Sequence, residues 1–122
     1  MRSKINEVEM KPSVVVSSFI KPTSINDYVI EKLEVDLRHV NYGLDHEKGY
    51  RSKARSHFSL KEIACFFESL NGMELEPEVD ENWEYYFVEK IFFTKKKFRM
   101  VFCLNQIEPN VCGIITLYEV KR

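Results

Sequence analysis

The sequence predicts an α+β fold: an N-terminal strand, then two helices packed on a C-terminal antiparallel β-meander. Three observations predict it. Apolar residues recur at steps of three and four over two segments, 25–40 and 59–70. From Trp83 onward, runs of aromatic and aliphatic residues alternate with short polar turns. A hydrophobic content of 44% with 13% aromatics excludes a disordered chain, and 122 residues suit one domain with its own core.

Residues 1–12 are polar and end in Lys11-Pro12. They read as a flexible N-terminal arm, with 13–122 as the single α+β domain. Ser13 to Ile20 is β-branched and closed by Pro22, which reads as a strand. Ser24 is placed as an N-cap, followed by Ile25, Tyr28, Val29, Leu33, Leu37 and Val40. That spacing predicts a helix of about 15 residues. Asn41 to Ser56 is nearly free of aliphatics and reads as a long loop. The second helix has the clearer start. Ser59-Leu-Lys-Glu62 matches a capping box, with Phe58 and Ile63 at the staple positions. Ile63, Phe66, Phe67 and Leu70 make its buried face, and Asn71-Gly72 its stop.

Met73 to Asn82 is an acidic loop. Strands follow at Trp83–Phe93, Phe98–Leu104 and Cys112–Val120. In the middle strand, Phe98, Met100, Phe102 and Leu104 point one way, and Val101 and Cys103 the other.

The net charge is −1, but the charges are sorted by sign along the chain. Lys48, Arg51, Lys53, Arg55 and Lys61 form a basic block. An acidic block runs from Glu62 to Glu89 through Glu74, Glu76, Glu78, Asp80, Glu81 and Glu84. Lys90, Lys95, Lys96, Lys97 and Arg99 are basic again. Such patches select partners even when the total charge is near zero. No apolar run approaches the ~20 residues that span a bilayer, and the first residues lack a signal-peptide core. Cys65, Cys103 and Cys112 lack metal-ligand spacing. They read as reduced thiols, with a Cys103–Cys112 disulfide allowed but not required. The expected location is the cytoplasm, with no membrane partner.

The run Tyr50-Arg-Ser-Lys-Ala-Arg-Ser-His57 is the main candidate site. Arginine forks and lysine ammoniums suit phosphate, and the helix starting near Ser59 aims its positive dipole end at this segment. Lys48, Arg51, Lys53, Arg55, Lys95, Lys96 and Lys97 are therefore candidate RNA-phosphate ligands. Metal-free RNA cleavage needs a base, an acid and cations for the charged phosphorane. His57 is the candidate base, its pKa lowered by the dipole and adjacent cations. Tyr118 is the candidate acid, and Arg99 the cation. Arg99 sits inside an apolar strand, so it should reach either an internal acid or an external phosphate. His39 and His46 do not suggest a metal site, and no HExxH, paired CxxC or glycine-rich phosphate loop occurs. No metal and no cofactor is expected.

The segments Lys97-Phe-Arg-Met-Val-Phe-Cys-Leu104 and Gly113-Ile-Ile-Thr-Leu-Tyr-Glu-Val120 are similar to the two closing strands of the RelE/ParE-type toxin superfamily. The second helix resembles that of BrnT-like toxins. The resemblance implies a small metal-independent endoribonuclease of a toxin–antitoxin pair, acting on mRNA at the ribosome and neutralised by a cognate antitoxin protein. Arg99 and Tyr118 are the positions that correspond. The other reading is a non-catalytic protein-binding module, such as an antitoxin-like, immunity or phage-encoded inhibitor protein, using the acidic segment Glu74–Glu84 against a basic partner.

Overall fold

The computed structural model describes residues 13–15, 20–36, 39–40, 58–92 and 95–120. These form eight strands and one helix: β1 Ser13–Val15, β2 Thr23–Ile25, β3 Tyr28–Ile30, β4 Lys32–Asp36, α1 Leu60–Glu68, β5 Glu78–Asp80, β6 Trp83–Phe92, β7 Lys96–Asn105 and β8 Val111–Glu119. The protein is mainly β, which corrects the expected α+β arrangement of two helices on a meander. Residues 1–12, expected as an arm, lie outside the described residues.

The helix expected from Ser24 to about Val40 is replaced by three strands. Asn26 and Asp27 have φ of 49° and 75°, the signature of a type I′ hairpin turn. Asn and Asp tolerate that left-handed region better than other side chains. The turn pairs β2 with β3 in antiparallel register, Thr23↔Ile30 to Ile25↔Tyr28. Lys32–Asp36 then alternates exposed and buried positions, with Leu33 and Val35 inward, which is a strand's period of two rather than a helix's. The apparent three-and-four spacing was produced by a tight turn between two short strands.

A six-stranded sheet runs in the order β1-β4-β8-β7-β6-β5. The expected antiparallel meander β6-β7-β8 is its centre. Strands β4 and β8 pair in parallel, Lys32↔Val111 to Val35↔Ile114. Part of the expected acidic loop is strand β5, which pairs with β6 at one edge.

Helix α1 starts where the capping box placed it. The Ser59 hydroxyl accepts the Glu62 N–H at 3.0 Å, and the Ser59 N–H donates to Glu62 Oε1 at 2.9 Å. Ser69 closes the helix, its N–H donating to the carbonyls of Cys65 and Phe66 at 3.1 Å. Gly72 then takes φ 88°, a left-handed turn that glycine adopts without strain. Its N–H donates to the Ser24 carbonyl at 2.7 Å, tying the β2–β3 hairpin to the chain leaving the helix.

The core lies between one sheet face and the layer of α1 and the hairpin. Ile63, Ala64, Phe66 and Phe67 of the helix are buried in one cluster with Val88, Phe98, Met100, Phe102 and Leu104 of the sheet and Ile25 and Ile30 of the hairpin. Phe67 meets Phe102 edge-on with centroids 5.1 Å apart, and Tyr86 stacks on Phe102 at 4.9 Å. These geometries suit aromatic quadrupoles. Cys65, Cys103 and Cys112 are free thiols. Cys112 is buried in the core, whereas Cys103 pairs with Gly113 and so points to the opposite face. The disulfide left open by the sequence is not formed.

Candidate functional site

The opposite face of the sheet carries the most unusual chemistry. Along β6, Tyr86 and Val88 turn inward, so Trp83, Tyr85, Phe87, Glu89 and Ile91 turn outward. Trp83 is 40% exposed, Phe87 57% and Ile91 61%. Pairing registers carry this outer face across the sheet. Asp80 lies beside Trp83, and Glu78 beside Tyr85. Val101 lies beside Phe87, Arg99 beside Glu89 and Lys97 beside Ile91.

A β-bulge decides what β8 contributes. Val101 pairs with Thr116 but Phe102 pairs with Ile114, leaving Ile115 as the extra residue. Such an insertion flips the alternation beyond it. Cys112, Ile114 and Leu117 are therefore all buried, and Tyr118 turns out beside Arg99. Without the bulge, strict alternation would send Tyr118 inward with Cys112 and Ile114.

Two of the expected catalytic residues thus meet. Arg99 Nη1 donates to the Tyr118 hydroxyl at 2.8 Å. Arg99 Nε donates to Glu89 Oε2 at 2.8 Å, and Nη2 donates to the same oxygen. Of the two partners foreseen for Arg99, it meets the internal acid. Glu89 and then Tyr118 raise its pKa further above an already high value. Lys97 Nζ stands 3.9 Å from Glu89 Oε1. Lys95 and Lys96 lie at the β6–β7 tip, Lys95 at φ 64°. His57, Lys48, Arg51, Lys53 and Arg55 lie outside the described residues.

The sequence reading missed a second polar group, built around Glu84 on the core side. Tyr86 donates its hydroxyl to Glu84 Oε1 at 2.5 Å, Gln106 Nε2 donates to Oε2 at 2.6 Å, and the Tyr28 hydroxyl donates to Oε2 at 3.1 Å. Burial works against the charge, but the bonds from Tyr86, Gln106 and Tyr28 outweigh it and hold the Glu84 pKa below the usual value. Burial and the same carboxylate push Tyr86 up. Asn26 extends the group, its Nδ2 donating to the Leu75 carbonyl at 2.7 Å and its Oδ1 accepting the Leu75 N–H at 2.6 Å. The network staples hairpin, sheet and loop together. A signal existed in the sequence: Glu84 falls on the same strand face as Tyr86 and Val88, where a carboxylate needs donors.

An open cavity of about 340 Å³ lies at the far end of α1, lined by Lys21, Pro22, Thr23, Glu68, Ser69 and Asn71. Its Glu68 accepts the Lys21 N–H at 2.8 Å. Among the described residues, no three His, Cys, Asp or Glu are placed to hold a metal ion, and no helix is long and apolar enough to cross a membrane. No family model, curated protein or solved structure matches the chain.

Proposed function

We propose that this chain is a non-catalytic protein-binding module whose contact surface is the outer sheet face. The partner is a protein surface that is apolar at its centre and cationic at its margin. One observation carries this reading: Trp83, Phe87 and Ile91 all face outward on one strand, each 40% or more exposed, with Tyr85 and Glu89 between them. Large apolar side chains exposed together on one sheet face mark an interaction site. Aromatic anchors with a polar rim are the usual composition of protein interfaces.

Charge selects between classes of partner. Among the described residues, the outer face carries Lys32, Lys97 and Arg99 against Glu34, Asp36, Glu78, Asp80 and Glu89. Carboxylates flank the apolar stripe at its Trp83 end, where a nucleic-acid backbone would be repelled and a cationic protein attracted. A phosphate approaching Arg99 would also have to displace Glu89. The endoribonuclease reading requires His57 and the basic loop to reach this face, whereas protein binding requires only the residues already on it. Three free thiols suit the reducing cytoplasm.

Trp83 is the single tryptophan and sits in the stripe, so its fluorescence reports on occupancy. The probes are a soluble peptide of about ten residues alternating leucine and lysine, an otherwise identical leucine–aspartate peptide, and oligouridine. The leucine–lysine peptide should shift Trp83 emission to the blue with saturation. Phe87→Asp should weaken that binding at least about tenfold. Saturable binding of oligouridine in place of the peptide, or unchanged peptide affinity in folded Phe87→Asp, overturns the reading.

A further inference from the structure

The outer face has two oppositely charged corners. Asp80 and Glu78 stand on β5 beside Trp83 and Tyr85. Lys97 stands on β7 beside Ile91, whereas Lys96, beside Phe92, turns to the other face. Glu78, Asp80 and Lys97 are all exposed. Phe87 lies midway, at the centre of the ten-residue β6. The acidic corner needs a cationic, apolar partner, and the basic corner of the same face has that chemistry.

We propose that this face pairs with the same face of a second copy, about a twofold axis that runs parallel to the sheet, between the two faces and over Phe87. The inference rests on the protein-binding reading and names the partner. At ~3.4 Å per residue and ~4.8 Å between strands, Asp80 and Lys97 lie roughly symmetrically about Phe87, at opposite corners of the face. The twofold then sets Asp80 of each copy against Lys97 of the other, with Glu78 beside that contact. Phe87 stacks near its own symmetry mate, and Trp83 approaches the partner's Ile91. The strands of the two sheets cross at roughly 40°, close to the ~30° of face-packed sheets. An isologous contact of this kind is the commonest in soluble oligomers. The uncovered face measures on the order of 500 Å², against ~800 Å² per partner in a standard interface. The dimer is therefore weak and exchanges with monomer.

Charge reversal tests the pairing. One variant carries Glu78→Lys with Asp80→Lys, so both corners are basic. The other carries Lys97→Glu, so both corners are acidic. Sedimentation velocity over a concentration series should show wild-type chain in monomer–dimer exchange. Each variant alone should dimerise at least about tenfold more weakly, and an equimolar mixture should form a heterodimer. Phe87→Asp should abolish dimer while keeping the wild-type circular dichroism spectrum. If Lys97→Glu, placed beside Glu89, unfolds its chain, Lys97→Gln replaces it in the mixture.

Wild-type chain that stays monomeric throughout, a dimer indifferent to Phe87→Asp, or a mixture that does not recover association would each overturn the pairing. The same proteins titrated with the leucine–lysine peptide separate the two claims. Monomeric chain with Phe87-dependent peptide binding refutes only the second copy. Monomeric chain with no such binding refutes the protein-binding reading as well.

Discussion

At the scale of single residues, Glu84 shows how a carboxylate is kept in the interior. It is only 7% exposed, and an ion at that depth costs several kcal/mol unless donors replace its water. Tyr86, Gln106 and Tyr28 supply those donors. Hydrogen bonds to a charged group contribute about 1.5–3 kcal/mol each in favourable cases, so Glu84→Gln should lower stability by about 2 kcal/mol at neutral pH. The folded carboxyl titrates below its ordinary value. Its contribution is therefore complete above the unfolded pKa of ~4.3 and is lost as pH falls through the lower folded value. Urea unfolding across a pH series should show the gap between wild type and Glu84→Gln wide at pH 7 and closing below about pH 4. A gap that stays constant down to pH 3 would mean that the bonds do not depend on the charge. Cys103 gives the opposite case: burial outweighs the one hydrogen bond from the Gly113 backbone and pushes its thiol up to about 11, which keeps it unreactive.

At the scale of elements, legibility follows how local the deciding chemistry is. Helix α1 could be read because its capping box lies within four adjacent residues, and both of those bonds are present. The hairpin and β4 were hidden because their deciding feature is a backbone one. Ile25, Tyr28, Val29 and Leu33 satisfy a helical stripe, yet Asn26 and Asp27 at positive φ reverse the chain. The outer face was half legible. Glu89 and Arg99 are placed symmetrically about the β6–β7 tip, so their pairing follows from the hairpin. Tyr118 depends on a bulge that no local residue announces. The exposed stripe was obscured because β6 is apolar on both faces and puts its buried acid, Glu84, on the inner one. The turn itself offers a test. Asp27 at φ 75° occupies the second central position, where glycine is favoured. Asp27→Gly should raise stability by about 1 kcal/mol and the melting temperature by about 4 °C. Asp27→Val should lower both, and calorimetry reads either change. Equal melting temperatures for the two variants would show that the hairpin does not depend on this turn geometry.

At the scale of the whole molecule, the sheet is closed by contacts between distant parts of the chain. The meander β6-β7-β8 is local, each strand meeting the next through a short turn. The β4–β8 pair instead joins Leu33 to Cys112 and Val35 to Ile114, with the helix and the first two strands of the meander between them. Closing a loop of that length is entropically costly before any contact rewards it, and parallel pairing across a crossover is slow for that reason. The meander, with Phe67 and Phe66 packed on it, should therefore form in the folding transition state, and β4 should dock afterwards. Met100 and Leu33 are both fully buried, one at the centre of the meander and one in the late strand. Truncation of either to alanine should cost about 2–5 kcal/mol, but the two should divide the loss differently. Met100→Ala should mainly slow folding, and Leu33→Ala should mainly speed unfolding, as read from the two limbs of a stopped-flow chevron. If Leu33→Ala slows folding as much as Met100→Ala does, the crossover belongs to the nucleus and the sheet forms as one unit. Late docking of β4 has a consequence for the outer face. The stripe of Trp83, Phe87 and Ile91 is then assembled and exposed before the sheet is complete, so association through it competes with folding at high concentration. The carboxylates of Glu78 and Asp80 along that edge limit the competition, because an unfinished chain that approaches with the same acidic edge is repelled.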